Sequence, residues 1–235
     1  MRPIAIVQHV ADDGPAYFAT WLEQQNLPYR VFPLFDNAHL PERMDDYAGL
    51  CVLGGPMSAN DALPYYPQLI ALIREAVALD RPVIGHCLGG QLMSVALGGE
   101  VGAAEHVEIG WSELQAEAGA ERWFGGLPSA NLFQWHGESF SIPPDAMRVA
   151  CGTYCANQAF EYAGKHLAMQ FHCEVDEAKI RLWLDKGHDE LIHSQSPAVQ
   201  QAAALLPDLT ARVAQSQQVA AAIYHEWARG LPGRR

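Results

Sequence analysis

The sequence is short of positive charge: 15 Lys and Arg stand against 27 Asp and Glu among 235 residues, a formal charge of −12. A surface with that excess repels nucleic-acid phosphates and anionic lipid headgroups, so neither nucleic acid nor a membrane is expected as a partner. Long apolar runs are missing too. None approaches the ~20 residues that cross a bilayer, and the opening MRPIAIVQHVADDG lacks the small-residue cleavage site of a secretory signal, so a cytoplasmic location is the expectation. The five cysteines (Cys51, Cys87, Cys151, Cys155, Cys173) are odd in number and contain no CxxC pair, which indicates neither a disulfide framework nor a zinc finger. The phosphate-cradling patterns GxxxxGK and GxGxxG do not occur, nor do internal repeats, linkers or low-complexity tracts. Disorder is excluded by composition, since 49% hydrophobic and 18% charged residues suffice for a substantial core. The length suits one domain over residues 1–235 better than two small ones.

What is present begins with short apolar segments at 3–8, 29–35, 50–53 and 82–85, alternating with helix-period stretches at 17–27, 69–79 and 88–97. Strands that are apolar throughout and separated by amphipathic helices imply an α/β fold, a mainly parallel open sheet with both faces covered. From 100 to 171 the pattern changes to β-like runs at 111–114, 132–135, 148–153, 159–162 and 167–171, divided by Gly, Pro and Asn turns, which reads as a small antiparallel extension. Residues 176–230 read as helical: 176–186 with acids at its start, Lys186 in its last turn and Gly187 after it, then 198–229 broken near Pro207.

Chemistry concentrates at Gly85-His86-Cys87-Leu88-Gly89-Gly90-Gln91, where a strand turns directly into a helix. A side chain at such a turn is lifted above the sheet, and the helix N-terminus beside it favours a thiolate. The alternative is a buried structural cysteine among packing glycines. A thiolate needs a proton carrier, and Phe171-His172-Cys173-Glu174 offers one. At strand spacing His172 and Glu174 point the same way, so that the carboxylate orients the ring. Leu53-Gly54-Gly55-Pro56-Met57-Ser58 comes after a strand, at the end of the sheet where ligands bind, and its bare amides, with that of Leu88, could form an oxyanion hole; taken alone it is an ordinary turn.

The order GGPMS, GHCLGGQ, WHGESF, QFHCEV, over roughly residues 52–174, resembles the class I glutamine amidotransferases, which include the glutaminase part of GMP synthetase. The resemblance implies a catalytic triad of Cys87, His172 and Glu174, oxyanion-hole amides from Gly55 and Leu88, and a glutamine site formed by Gly54, Gln91, Trp135, His136 and Gly137. It also implies a flavodoxin-like α/β fold and a γ-glutamyl thioester on the way to glutamate and ammonia. This sequence departs from the pattern twice: Cys173 replaces the usual Pro, placing a second oxidisable thiol beside the triad, and Glu138 replaces the usual Asp.

Neither metal nor organic cofactor is expected. His86 should point away from the nucleophile, Cys151 and Cys155 lack further zinc ligands, and Trp123, Trp183 and Trp227 read as packing residues. The stretch after Glu174 is too short for a synthetase domain, which leaves three readings of one small-molecule site: a glutaminase serving a separate ammonia-acceptor subunit, a stand-alone γ-glutamyl peptide hydrolase, or a non-catalytic binding or regulatory protein.

Overall fold

The computed structural model describes residues 1–36 and 39–233. Strands β1 (Ile4–Gln8), β2 (Tyr29–Pro33), β3 (Gly49–Val52) and β4 (Val83–His86) alternate with helices α1 (Ala16–Gln24), α2 (Tyr66–Ala78) and α3 (Leu88–Ala96). Then come β5 (Val101–Ala116), β6 (Ser129–Phe140), β7 (Ala146–Gly152), β8 (Ala159–Tyr162) and β9 (His166–Met169), and lastly α4 (Glu177–Lys186), α5 (His188–His193), α6 (Ala202–Leu205) and α7 (Leu209–Ala228). All nine strands join one sheet in the order β2-β1-β3-β4-β9-β8-β7-β5-β6. Pairing is parallel from β2 through β9 and antiparallel from β9 to β6. This is the α/β architecture that the alternation implies.

The apolar strands are explained by their two faces. On β1, Ile4 and Ile6 enter a core with Phe18, Trp21, Tyr224 and Trp227 of α1 and α7, while Ala5 and Val7 enter the opposite core with Leu69, Ile73 and Leu92 of α2 and α3. Strand β3 divides likewise, Cys51 to the first core and Leu50 and Val52 to the second. With water on neither side, the period-2 alternation of a half-exposed strand has no reason to occur. Trp123 and Trp227 are fully buried.

Three departures from the sequence reading have physical causes. Strands β5 and β6 run to 16 and 12 residues, well past 111–114 and 132–135, because their outer ends pair only with each other and carry polar residues such as Glu105 and Glu138. The strand read over 167–171 stops at Met169. The C-terminal helical stretch is interrupted: between α5 and α6, Val199 bridges Ile109, and the Gln200 amide brackets the backbone of Trp111. Gly187, just after Lys186, leads straight from α4 into α5, and its missing Cβ is what admits the Trp135 ring.

The strand-to-helix turn is built by close backbone approach. A Cβ on Gly85 would lie 2.6 Å from Gly89, one on Gly90 2.5 Å from the Met169 carbonyl, and one on Gly89 would overlap Val52. These contacts are with backbone that cannot swing aside. Gly90→Ala is therefore expected to cost roughly 1–3 kcal/mol through overpacking, whereas Gly102→Ala, where a Cβ meets nothing within 4 Å, should be near neutral. Urea denaturation of both variants checks the contrast; equal stability would contradict the assigned packing.

Candidate active site

Cys87 sits between β4 and α3 with φ 48° and ψ −110°, a left-handed backbone that a residue with a Cβ rarely adopts. Its N–H donates to the Met169 carbonyl (2.8 Å), and its own carbonyl accepts the Gln91 N–H (3.0 Å), so the strain is held from both sides. The first amides of α3, which begins directly after Cys87, have no partner within the helix. The Gln170 amide donates to the sulfur at 3.5 Å, and the Trp135 carbonyl lies 3.8 Å from it.

His172 lies past the end of β9, held by its N–H to the Phe133 carbonyl (2.8 Å). Its Nδ1 stands 2.7 Å from Glu174 Oε1, and the Cys87 sulfur is close enough to act on the charge of the ring. The contact expected from same-side positions on a strand is thus made from a turn instead. Cys87, His172 and Glu174 thus come together, with His172 bonded to Glu174 and lining one cleft with Cys87. Burial alone would lower the His172 pKa, but the Glu174 carboxylate and then Cys87 outweigh it and raise it to about 10.

Glu174 is fully buried, and Lys179 of α4 neutralises it from the other side, Nζ to Oε1 at 3.0 Å. Lys179 also pairs with Asp13, bonds the Gly14 carbonyl (2.9 Å) and lies over the Trp183 ring at 4.8 Å. Although burial pushes the carboxyl of Glu174 up, Lys179, His172 and then His86 hold it well below the usual range. Burial works equally against the ammonium of Lys179, and Asp13 and Glu174 raise it. Glu174 Oε2 faces His86 Nε2 at 3.9 Å and has no hydrogen-bond partner among the described residues. His86 points away from Cys87 yet reaches the carboxylate behind it; its other neighbours are Tyr224 (3.2 Å) and Cys51 (3.8 Å), and burial lowers its pKa to about 4. Cys173 is fully buried against Tyr224 and Met169, and burial pushes its thiol up.

Over these groups opens a cleft of about 240 Å³. Among the described residues it is lined by Cys87, His172, Gly55, Pro56, Trp135, Trp183, Val10, Asp12, Asp13, Lys186, Gly187 and Glu190. Gly54 is pressed against Asp13 and His172, since a Cβ there would lie 2.5 Å from Asp13 and 2.9 Å from the ring. Gly55 approaches Leu88, the residue whose amide comes directly after the thiol. Gln91, His136 and Gly137 stand outside the lining. Gln91 is buried with Nε2 on the Glu138 carbonyl and Gln170; the His136 ring bonds Glu108 (3.1 Å) and the Glu138 carbonyl (3.0 Å). Glu138 itself accepts from Ser58 Oγ (2.9 Å). Trp183 packs against a buried core cluster, and its ring meets the His172 ring edge-on with centroids 4.7 Å apart.

Three buried clusters bring metal-capable atoms within 4.8 Å of one another: His86, Cys173 and Glu174; Asp13, His172 and Glu174; and Glu108, His136 and Cys155. The first two share the carboxylate already bound to His172 and Lys179, and in the third Glu108 Oε2 takes bonds from His136 and Gln158 (2.8 Å). Sequence reasoning missed Asp13, His86, Gln170, Lys179 and Trp183. Of these only Lys179 left a trace, a charged residue on the apolar face of its helix beside Ile180.

A sequence model of the family described as glutamine amidotransferase class-I matches residues 19–181. A glutamine amidotransferase-like protein of Salmonella typhimurium is 26% identical over 202 residues, 82% of this chain and 84% of that one. The glutamine-hydrolysing GMP synthase of Elusimicrobium minutum is 31% identical over 133 residues, 55% of this chain and 25% of the synthase, so the chain spans about a quarter of that protein. Among solved structures, a glutamine amidotransferase from Methylobacillus flagellatus matches with TM-score 0.97 at 39% identity, over 100% of this chain and 97% of that one. One from Thermotoga maritima, at 23% identity and TM-score 0.86 over 99% and 100%, shares the fold.

Since the folded pKa of His172 lies above the ordinary 6.5, its ion pair contributes fully to stability below about pH 6.5 and is lost as pH rises through about 10. Glu174→Gln removes the main cause, so the His172 value should fall toward 6.5, with a stability loss of about 3–5 kcal/mol from leaving Lys179 half-paired. Ring-proton NMR titration of both proteins measures this. An unchanged His172 titration would refute the assigned coupling.

Proposed function

The chain belongs to the class-I glutamine amidotransferases, and from that premise we propose that it hydrolyses the side-chain amide of glutamine through a thioester on Cys87. One observation carries this reading: a strained Cys87 at the start of a helix lines one cleft with His172, whose ring is bonded to the buried Glu174.

In this mechanism the Cys87 sulfur, as thiolate beside the His172 imidazolium, attacks the glutamine Cδ carbonyl. The amides of Gly55 and Leu88 receive the developing oxyanion, each such donor being worth about 3–4 kcal/mol at the transition state. The tetrahedral intermediate collapses with cleavage of the C–N bond, and His172 gives its proton to the departing nitrogen, so that ammonia leaves and the γ-glutamyl thioester remains. The neutral imidazole next takes a proton from water as that water attacks the thioester. Glutamate is released, and thiolate and imidazolium are restored. Glu174 holds the ring in register and compensates its charge throughout, while Lys179 keeps Glu174 ionised. The Gln170 amide, donating to sulfur at 3.5 Å, helps hold the Cys87 side chain in place.

The family relation makes an ammonia acceptor on a partner subunit part of this proposal, because the matched GMP synthases extend well beyond the segment shared with this chain. Hydrolysis of γ-glutamyl peptides is a second reading, favoured by a cleft with room beside His172 and charged side chains at its mouth.

Cys87→Ala should abolish glutamate release while leaving the unfolding midpoint nearly unchanged, and His172→Ala should lower turnover by about 10³-fold or more. Steady-state glutamate assays, with mass spectrometry of wild type quenched during turnover, check both. Undiminished release by Cys87→Ala, or an acyl adduct on Cys51 or Cys173 instead of Cys87, would overturn the assignment.

A further inference from the structure

We propose that Glu108, His136 and Cys155 form a binding site for a zinc ion, separate from the cleft and independent of the chemistry assigned to it. One ligand atom from each of the three lies within 4.8 Å of the other two, and all three residues are buried. Sequence spacing does not reveal the set. Glu108 on β5 and His136 on β6 are directly paired across the antiparallel ladder, and the connection between β7 and β8 carries Cys155 to them. His136, which the family resemblance assigns to a glutamine site, stands outside the cleft lining.

Hydrogen bonds prepare these atoms as ligands. A carbonyl only accepts, so His136 Nδ1, 3.0 Å from the Glu138 carbonyl, carries the proton of the neutral ring, and Nε2 turns its lone pair toward Glu108 Oε2 at 3.1 Å. Two acceptors so placed need a cation or a proton between them. Donation of the other ring N–H to a carbonyl is how metal-binding imidazoles are commonly oriented. The 3.1 Å separation is close to the ~3.3 Å edge of a tetrahedron whose arms are zinc–nitrogen and zinc–oxygen bonds of ~2.0 Å. Cys155 lies on a connection and not on a strand, so its sulfur can adjust to the third corner, and Ser139 Oγ, 3.1 Å from that sulfur, can donate to it as a thiolate.

A fourth group points to the occupant. Gln158 is fully buried with its amide against Glu108: Nε2 donates to Oε2 at 2.8 Å, while Oε1 has no hydrogen-bond partner among the described residues. A buried carbonyl oxygen without a donor, held beside a carboxylate, calls for positive charge. A proton shared between His136 and Glu108 would satisfy that pair and leave Gln158 Oε1 and the thiol out; a metal ion engages all four, with Oε1 at the fourth corner. The donor set then selects the ion. A carboxylate and a thiolate carry two negative charges, matching a divalent cation, and a mixed oxygen, nitrogen and sulfur shell suits zinc, whereas magnesium and calcium take oxygen ligands.

Cys87 and His172 are another pair that zinc could take, so the test uses the Cys87→Ala chain, which keeps all three proposed ligands. After treatment with a chelator, that chain should bind a single equivalent of Zn2+ in competition with a chromophoric chelator, and Co2+ in its place should give a thiolate-to-cobalt charge-transfer band. Adding Cys155→Ser should abolish the band, and either Cys155→Ser or Glu108→Gln should weaken Zn2+ binding by more than the roughly 10–100-fold that loss of an outer-shell partner costs. A band that survives Cys155→Ser in a chain of unchanged circular dichroism would overturn the site. So would zinc binding by wild type that Cys87→Ala abolishes, which places the ion at the cleft thiol, or no binding by either chain. Should Cys155→Ser not fold, ring-proton NMR of the Cys87→Ala chain decides: Co2+ should shift the His136 signals, and a His136 ring that Co2+ leaves unmoved refutes the proposal.

Discussion

A carboxylate with no access to water is the constraint around which this molecule is arranged. Glu174 is ionised at the junction of several elements, and an isolated charge there would cost several kcal/mol. Its compensation is drawn from separate parts of the chain: His172 from the turn after β9, Lys179 from α4, and His86 from β4 facing the remaining oxygen. Its backbone carbonyl accepts the N–H of Tyr17 at the start of α1, and Lys179 reaches back to Asp13 and Gly14 in the loop after β1. The same ion network that keeps the imidazole charged therefore ties the C-terminal helix α4 to the first crossover of the sheet. Function and fold share one electrostatic knot, and a change that frees either cation leaves a buried charge unmatched.

The thiol depends on a different kind of constraint. Cys87 keeps a left-handed backbone only because the strand and helix around it are packed so closely that glycine is required at 85, 89 and 90. The parallel strands contribute by being buried on both faces, which fixes β4 between β3 and β9 and leaves the turn no freedom to relax. Strain at the turn is thus balanced by burial in the sheet. Neither element alone would hold the sulfur against the His172 ring.

Much of this was legible in the sequence, for definite reasons. The parallel half shows through because two-faced burial makes its strands apolar without interruption, and the turn at Cys87 because glycines mark close backbone approach. His172 and Glu174 were legible as a pair through their spacing, although the backbone that joins them is a turn and not a strand. The full length of β5 and β6 was not visible, since a long exposed ribbon carries polar residues that read as loop. Asp13, Lys179 and His86 were invisible for a stronger reason. Their part depends on being brought to Glu174 by tertiary contact, and 165 residues separate Lys179 from Gly14.

The family relation and the cleft divide the site along a line that the chain itself draws. The matched stretch, residues 19–181, contains Cys87, His172 and Glu174 at the floor, together with Gly55 and Leu88. Asp12 precedes that stretch, and Lys186 and Glu190 come after it, yet all three stand at the mouth of the same cleft. The groups that would break a bond thus lie within the segment shared with the family, while the charged Asp12, Lys186 and Glu190 that line the same cleft lie outside it. Such a division is physically reasonable. The floor needs sub-ångström registration and rests on the sheet and its strained turn, whereas recognition of a charged end tolerates exposed, flexible side chains on terminal loops and helices. A shared floor therefore leaves the stretches on either side of the family segment free to vary in the charges they present to the cleft.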